Sequence, residues 1–397
     1  MAFLSKLAPY AFRAGLWLSV CSLTKAEQYN QALENGRQMW NRKDYDAAVL
    51  TFSEIITRDN KCADAFNGRG MSYAMQGRYD ATARDFSVAI ELAPLMAAAF
   101  RNRGLSYNAL GETRQAILDF SEAIRIEPGD AVSYVNRSLA HLRAAEYAAA
   151  IEDASKAASL DESCVAAYIN RSAARFAIGD YDAAIADASE AIHLSPDEPT
   201  GYASRCQGLL AKGDTELALE DATKVIAISP NSAVGYNLRA GVHKQAKRIG
   251  KAIEDLGRAV EFQPDETDFR LRLAGLYHAS GDHARAIAAT STVLGLKPDS
   301  ALAFYTRGLA RHATHDYDGA ISDYTDVIQL NVDDGDGTLA YAYYGRATAL
   351  LAKAGIDFAE ARRRGLTADD KRRCPPMTEL RSNSTHRPGD SEPSDGR

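Results

Sequence analysis

The sequence predicts an all-α protein built from about ten copies of one helix–turn–helix unit, and three observations predict it. Prolines recur at intervals of 34: Pro94 and Pro128, then Pro196, Pro230, Pro264 and Pro298, with Glu162 in the slot between. Aromatic residues keep the same period at Phe66, Phe100, Tyr134, Tyr168, Tyr202, Tyr236 and Phe304. So do Ala116, Ala150, Ala184, Ala218, Ala252, Ala286 and Ala320. A fixed period between 20 and 50 residues marks a repeat architecture. The units start at 29, 63, 97, 131, 165, 199, 233, 267 and 301, with no residue inserted or lost among them.

Composition sets the outer bounds. The chain has 397 residues, 46% hydrophobic and 25% charged, an ordinary soluble mixture that excludes collagen-like and polytopic membrane classes. A net charge of -7 lacks the basic stripe that nucleic acid requires, so no nucleic-acid partner is expected. Cys21, Cys62, Cys164, Cys206 and Cys374 form no CxxC and no disulfide framework.

Residues 1–28 come first. Lys6, Arg13 and Lys25 with the apolar run 14–23 read as a signal peptide, or as an amphipathic helix capping the first repeat. The compartment stays open between cytoplasm and export. The run is too short to span a bilayer, so an integral membrane protein is not expected.

The array follows, over 29–366. In each unit the first helical stretch holds an aromatic residue at repeat position 4, a small one at 8 and often an aromatic at 11. The second holds small or apolar residues at 20, 24, 27 and 28, one face of an amphipathic helix. Gly77, Gly111, Gly179, Gly213 and Gly281 end the first helices. Proline at position 32 ends the second. Repeat eight departs, with Arg270 at position 4 and Thr290 at 24, and its interface is expected to be the weakest. In the tenth unit, NVDDGDGT (331–338) is an insertion, a shortened hairpin is expected after Leu351, and DFAEARRRGL (357–366) is read as the second helix. The tail 367–397 is polar and Pro-rich, a composition that predicts disorder.

Arginine recurs at position 7 (Arg69, Arg103, Arg137, Arg171, Arg205, Arg239, Arg307). Aspartate recurs at 23 of the same repeats (Asp85, Asp119, Asp153, Asp187, Asp221, Asp255, Asp323). Repeats one and eight lack both, so the two charges are read as a bridge inside one repeat. Arg346 and Asp357 can form the same pair if the last hairpin is shortened. No catalytic fingerprint appears, and the repeats leave no room for a catalytic domain, so neither an enzyme, a cofactor nor a small-molecule substrate is expected. His312 and His315 are read as a surface pair, without the ligand count of a metal site.

At these positions the chain resembles the tetratricopeptide repeat family. Residues 65–94 read AFNGRGMSYAMQGRYDATARDFSVAIELAP, an almost complete match to its pattern. The resemblance implies a right-handed superhelical solenoid whose neighbouring units bury each other's apolar faces. It also implies a protein-interaction scaffold whose concave groove is lined from positions 2, 5, 6, 9, 12 and 13. Asn102, Asn136 and Asn170 fall at position 6 of three consecutive repeats. They resemble the asparagine ladder in the repeat domain of O-linked N-acetylglucosamine transferase, and an amide can hold an extended peptide backbone. Beside them Val132, Val135, Leu139, Leu142, Ile169, Phe176 and Leu210 make the implied groove apolar. The expected partner is a protein or extended peptide. The alternatives are a regulatory or assembly subunit of an enzyme complex acting through its convex face, and a co-chaperone with a non-standard groove. The cationic residues of a chaperone-tail clamp are missing beside Asn136 and Asn170.

Overall fold

The computed structural model describes residues 25–330 and 338–363, with the side chains of 25–28, 357–358 and 360–363 left aside. The possible leader, the insertion 331–337 and the tail therefore lie outside the described residues. Nineteen helices and no strand occur among the described residues. The repeats supply them in pairs: α1 (Lys25–Asn41) with α2 (Tyr45–Arg58), α3 (Ala63–Met75) with α4 (Tyr79–Leu92), and α5 (Ala97–Leu110) with α6 (Thr113–Ile126). Next come α7 (Ala131–Arg143) with α8 (Tyr147–Leu160), α9 (Val165–Ala177) with α10 (Tyr181–Leu194), and α11 (Pro199–Lys212) with α12 (Thr215–Ile228). After α13 (Ala233–Gln245) and α14 (Ile249–Phe262), α15 (Thr267–Ala279) pairs with α16 (His283–Leu296) and α17 (Ala301–Ala313) with α18 (Tyr317–Leu330). A single long helix, α19 (Thr338–Arg363), ends the series.

Contacts divide the chain into two units, one ending at Val242 and the other beginning at His243. Within each, the two helices of a repeat pack together, the second packs on the first helix of the next repeat, and first helices of successive repeats touch.

Every turn between paired helices passes through the left-handed region at repeat position 15. Five repeats place glycine there, with φ from 72° to 91°. The others place Lys43, Ala145, Lys247 and His315, with φ from 58° to 64°. The turn is therefore set by closing the hairpin, and non-glycine residues accept its strain.

The core is a small-against-large pattern. Ala116, Ala150, Ala218, Ala252, Ala286 and Ala320 at position 20 are completely buried. Position 24 carries a ring in four repeats, Phe52, Phe86, Phe120 and Tyr324, each at most 2% exposed. In those four, position 8 is glycine. A Cβ on Gly36, Gly70, Gly104 or Gly308 would lie 2.6, 2.9, 2.7 or 2.8 Å from the ring of its own repeat. Where position 24 shrinks to Ala154, Ala188 or Ala222, position 8 grows to Ser138, Ser172 or Cys206. Close packing couples the two positions through their summed volume. In repeat eight the buried Thr290 hydroxyl donates to the Ala286 carbonyl at 2.8 Å, so this polar substitute is satisfied within its own helix.

The arginine–aspartate bridge forms inside the repeat. Arg137 Nε and Nη2 each meet an Asp153 carboxylate oxygen at 2.7 Å. The same fork occurs at Arg69–Asp85, Arg103–Asp119, Arg171–Asp187, Arg205–Asp221 and Arg307–Asp323. Arg239 and Asp255 fall in different units. The remaining arginine nitrogen reaches back one repeat: Nη1 of Arg69, Arg103, Arg137, Arg171, Arg205 and Arg307 donates to Ser53, Ser87, Ser121, Ser155, Ser189 and Ser291. One guanidinium thus joins three helices. The aspartate hydrogen bond raises Arg103 and Arg137 above their ordinary pKa against the opposing cost of burial.

The last repeat is a correction to the sequence reading. No hairpin forms after Leu351; α19 runs unbroken from Thr338 to Arg363. The residues AKAG (352–355) contain no proline, and Gly355 has none of the positive φ that closes the other hairpins. The side chain of Asp357 lies outside the described residues. Arg346 instead donates to Thr325 Oγ1 at 3.5 Å, the position used by the serines.

Candidate peptide-binding groove

All the sequence-predicted groove residues lie in the first unit, on first helices α5, α7, α9 and α11. Leu139 is 36% exposed and Val132 55%, and Leu105, one repeat before Leu139 at the same repeat position, is 44% exposed. Asn102, Asn136, Val135, Leu142, Ile169, Phe176 and Leu210 are half-buried.

Part of this set is committed to the scaffold. Leu210 packs against the core cluster of Cys206, Leu209 and Val242, and Val135 against Ala157, Ala158 and Ala167. The Phe176 ring rests on Tyr181 of the paired helix, with centroids 5.5 Å apart.

The three asparagines are not equivalent. Asn170 is only 9% exposed. Its Nδ2 donates to the Val135 carbonyl at 3.1 Å and to Ser138 Oγ at 2.8 Å. Asn102 Nδ2 approaches Asn67 Oδ1 at 3.5 Å. The cause is position 24 of the preceding repeat. Asn102 and Asn136 follow Phe86 and Phe120, whereas Asn170 follows Ala154. Without a ring below it, the amide turns inward to the serine at position 8. Asn102 and Asn136 stay half-buried.

Charge around this stretch is already paired. Arg101 Nη1 meets Asp130 Oδ2 at 2.5 Å. Burial would raise the Asp130 carboxyl, but hydrogen bonds from Ser133 and Arg101 bring it below the ordinary carboxylate value. Arg143 Nη1 donates to the Asn108 carbonyl at 2.9 Å, joining first helices of successive repeats. Sequence reasoning missed both contacts, although Asp130 at the N-terminus of α7 was visible as a capping residue. Among the described residues no three His, Cys, Asp or Glu side chains converge as a metal site requires. No described helix is long and apolar enough to cross a membrane.

Comparison with known proteins agrees with this geometry. The tetratricopeptide repeat family matches residues 33–94 and 135–199, and a second family of the same description matches 243–307. No curated protein matches the chain. A tetratricopeptide repeat protein from Parabacteroides merdae superposes with a TM-score of 0.53 at 19% identity, over 62% of this chain and 97% of that one. A chain of the APC/C hetero-tetramer Cut9–Hcn1 superposes with a TM-score of 0.53 at 17% identity, over 84% of this chain and 66% of that one. At these identities the likeness is one of fold. Repeat period, paired helices and family match converge: the chain belongs to the tetratricopeptide repeat family, an all-α solenoid fold used as a protein-interaction scaffold.

Proposed function

We propose that the chain is a non-enzymatic scaffold that binds an extended segment of a partner protein along repeats three to five of its first unit. The carrying observation is the pair of exposed leucines, Leu105 and Leu139, at one repeat position in consecutive repeats, on the same helices as Val132 and the half-buried amides Asn102 and Asn136. Leucines at a fixed repeat interval suit alternate side chains of an extended chain, and the amides suit its backbone. Ile169, Phe176 and Leu210 would flank this strip, while Asn170 supports it from beneath. Neither nucleic acid, a small-molecule substrate nor a cofactor is part of this reading.

The test is selection of phage-displayed 15-residue peptides on the full-length chain, followed by titration of the winners. Leu139→Glu should weaken binding at least tenfold, since it places a charge where an apolar side chain docks. The double substitution of Asn102 and Asn136 by Ala should weaken it roughly five- to a hundredfold, from about 0.5–1.5 kcal/mol per amide contact. Peptides bound equally by all variants would move the site to the opposite face.

A further inference from the structure

Position 6 also differs among the repeats that follow a ring at position 24. In repeats two and three the ring at position 24 is followed by Asn102 and Asn136. After Phe52 the same position is Gly68. A Cβ on Gly68 would lie 2.5 Å from the Phe52 ring, and one on Gly36, across the ring, 2.6 Å. With the Phe52 ring where it lies, a Cβ at either glycine would force it to shift, and neither glycine puts a side chain beside it. A pocket of about 240 Å³ opens there between α1 and α3, with the edge of Phe52 as floor. Trp40, Met71, Arg37, Asp64 and Asn67 also line it. The second unit repeats the construction. Tyr324 lies between Gly308 and Gly345, whose Cβ atoms would come within 2.8 and 2.7 Å of it. The opening above is lined by Tyr305, Leu309, His312, Tyr341 and Tyr344. Two pockets thus occur where glycine replaces the position-6 side chain above a buried ring.

We infer that the Phe52 pocket binds one aromatic side chain of an extended partner segment. The inference rests on the same face being the peptide-binding one. Its size is below that of pockets that enclose drug-sized ligands, and it suits a single side chain. Two ring systems and a thioether favour an aromatic occupant, through edge-to-face and sulfur–aromatic contacts. The lining also holds a guanidinium, a carboxylate and an amide. A neutral peptide backbone, with both donor and acceptor, fits it better than a ligand of single charge. Aromatic anchors in such pockets carry much of the binding energy of protein interfaces.

The experiment uses the full-length Trp17→Phe chain, in which Trp40 is the sole tryptophan. Trp40 emission is followed during titration with N-acetyl-phenylalaninamide, N-acetyl-leucinamide and N-acetyl-alaninamide. A saturable shift is expected with the first, at least fivefold weaker binding with the second and no shift with the third. Gly68→Asn, which recreates the covered arrangement of the neighbouring repeats, should abolish the shift. Met71→Glu, which leaves the backbone and the Phe52 contact alone, should weaken it at least tenfold with unchanged helicity. Absence of saturation, or an equal response in folded Met71→Glu, would overturn the pocket. If titration fails while selected peptides still depend on Leu139, only this inference falls. If titration saturates while peptides ignore Leu139, only the reading of repeats three to five falls.

Discussion

Arg137 donates to side chains on α6 and α8 from its place on α7, so its loss acts on two repeats at once. Its side chain is 22% exposed and that of Asp153 only 6%, so truncating either strands a mostly buried charge. Arg137→Ala and Asp153→Ala should each cost about 3 kcal/mol in urea unfolding, with the double variant well below the sum. Ser121→Ala should cost about 1 kcal/mol and nothing further in the Arg137→Ala background. Additive losses would refute the three-helix staple. Asn170→Ala should cost about 1–3 kcal/mol, because Ser138 and the Val135 carbonyl lose a buried donor, whereas Asn136→Ala should be nearly neutral for stability. A second residue-scale effect depends on pH. Burial, with His283 beside it at a ring separation of 5.1 Å, lowers the His278 pKa below the ordinary value. The unfolded chain takes up that proton near pH 6.5 while the folded one resists it. The stability this contributes is complete above that pH and is lost as pH falls through the depressed value. The urea midpoint of the transition that includes α15 should therefore fall between pH 7.5 and 5.5, and His278→Phe should flatten this dependence.

Helices in this chain are matched by volume. A ring at position 24 pairs with glycine at position 8, and alanine at 24 pairs with serine or cysteine at 8. Gly104→Ser would push a side chain into Phe120, whose ring already lies 2.7 Å from an added Cβ. The expected cost is about 1–3 kcal/mol from overpacking. Phe120→Ala alone should cost about 3–5 kcal/mol. Combined, they recreate the pairing Ser138–Ala154 of the next repeat and should cost less than the sum. Equal additivity in thermal or urea unfolding would show that the two positions fill separate holes. The same rule accounts for Asn170, whose amide turns inward over Ala154, and for the pockets above Phe52 and Tyr324, where position 6 has no side chain at all.

Within each unit, packing among the described helices runs between the two helices of a repeat and between successive repeats, so stability there is a sum of repeat terms and nearest-neighbour terms. A fault should therefore open locally. In hydrogen exchange of full-length Arg137→Ala, protection should fall over repeats three to five, because Arg137 touches α6 and α8 and α8 packs on α9. Repeats eight and nine should keep their wild-type rates. Uniform loss along the chain would show all-or-none cooperativity instead.

The all-α class, the period, the helix pairs and the arginine–aspartate bridge were legible in the sequence. These depend on contacts within one repeat, and a pattern copied nine times reports them without ambiguity. The serines that accept from these arginines, Ser53, Ser87, Ser121, Ser155, Ser189 and Ser291, keep the repeat period too, but only a contact between repeats gives them meaning. Tertiary structure alone decided the features that combine two repeats. It turned Asn170 inward because the previous repeat has Ala154, and it opened a pocket at Gly68 because the previous repeat has Phe52. Hairpin closure put Ala145 and His315 into a conformation that other repeats give to glycine. At the end of the array no turn residue interrupts AKAG (352–355), so α19 continues as one helix where the repeat pattern called for two. Periodicity records what one unit needs. Packing records what each unit must accept from its neighbour.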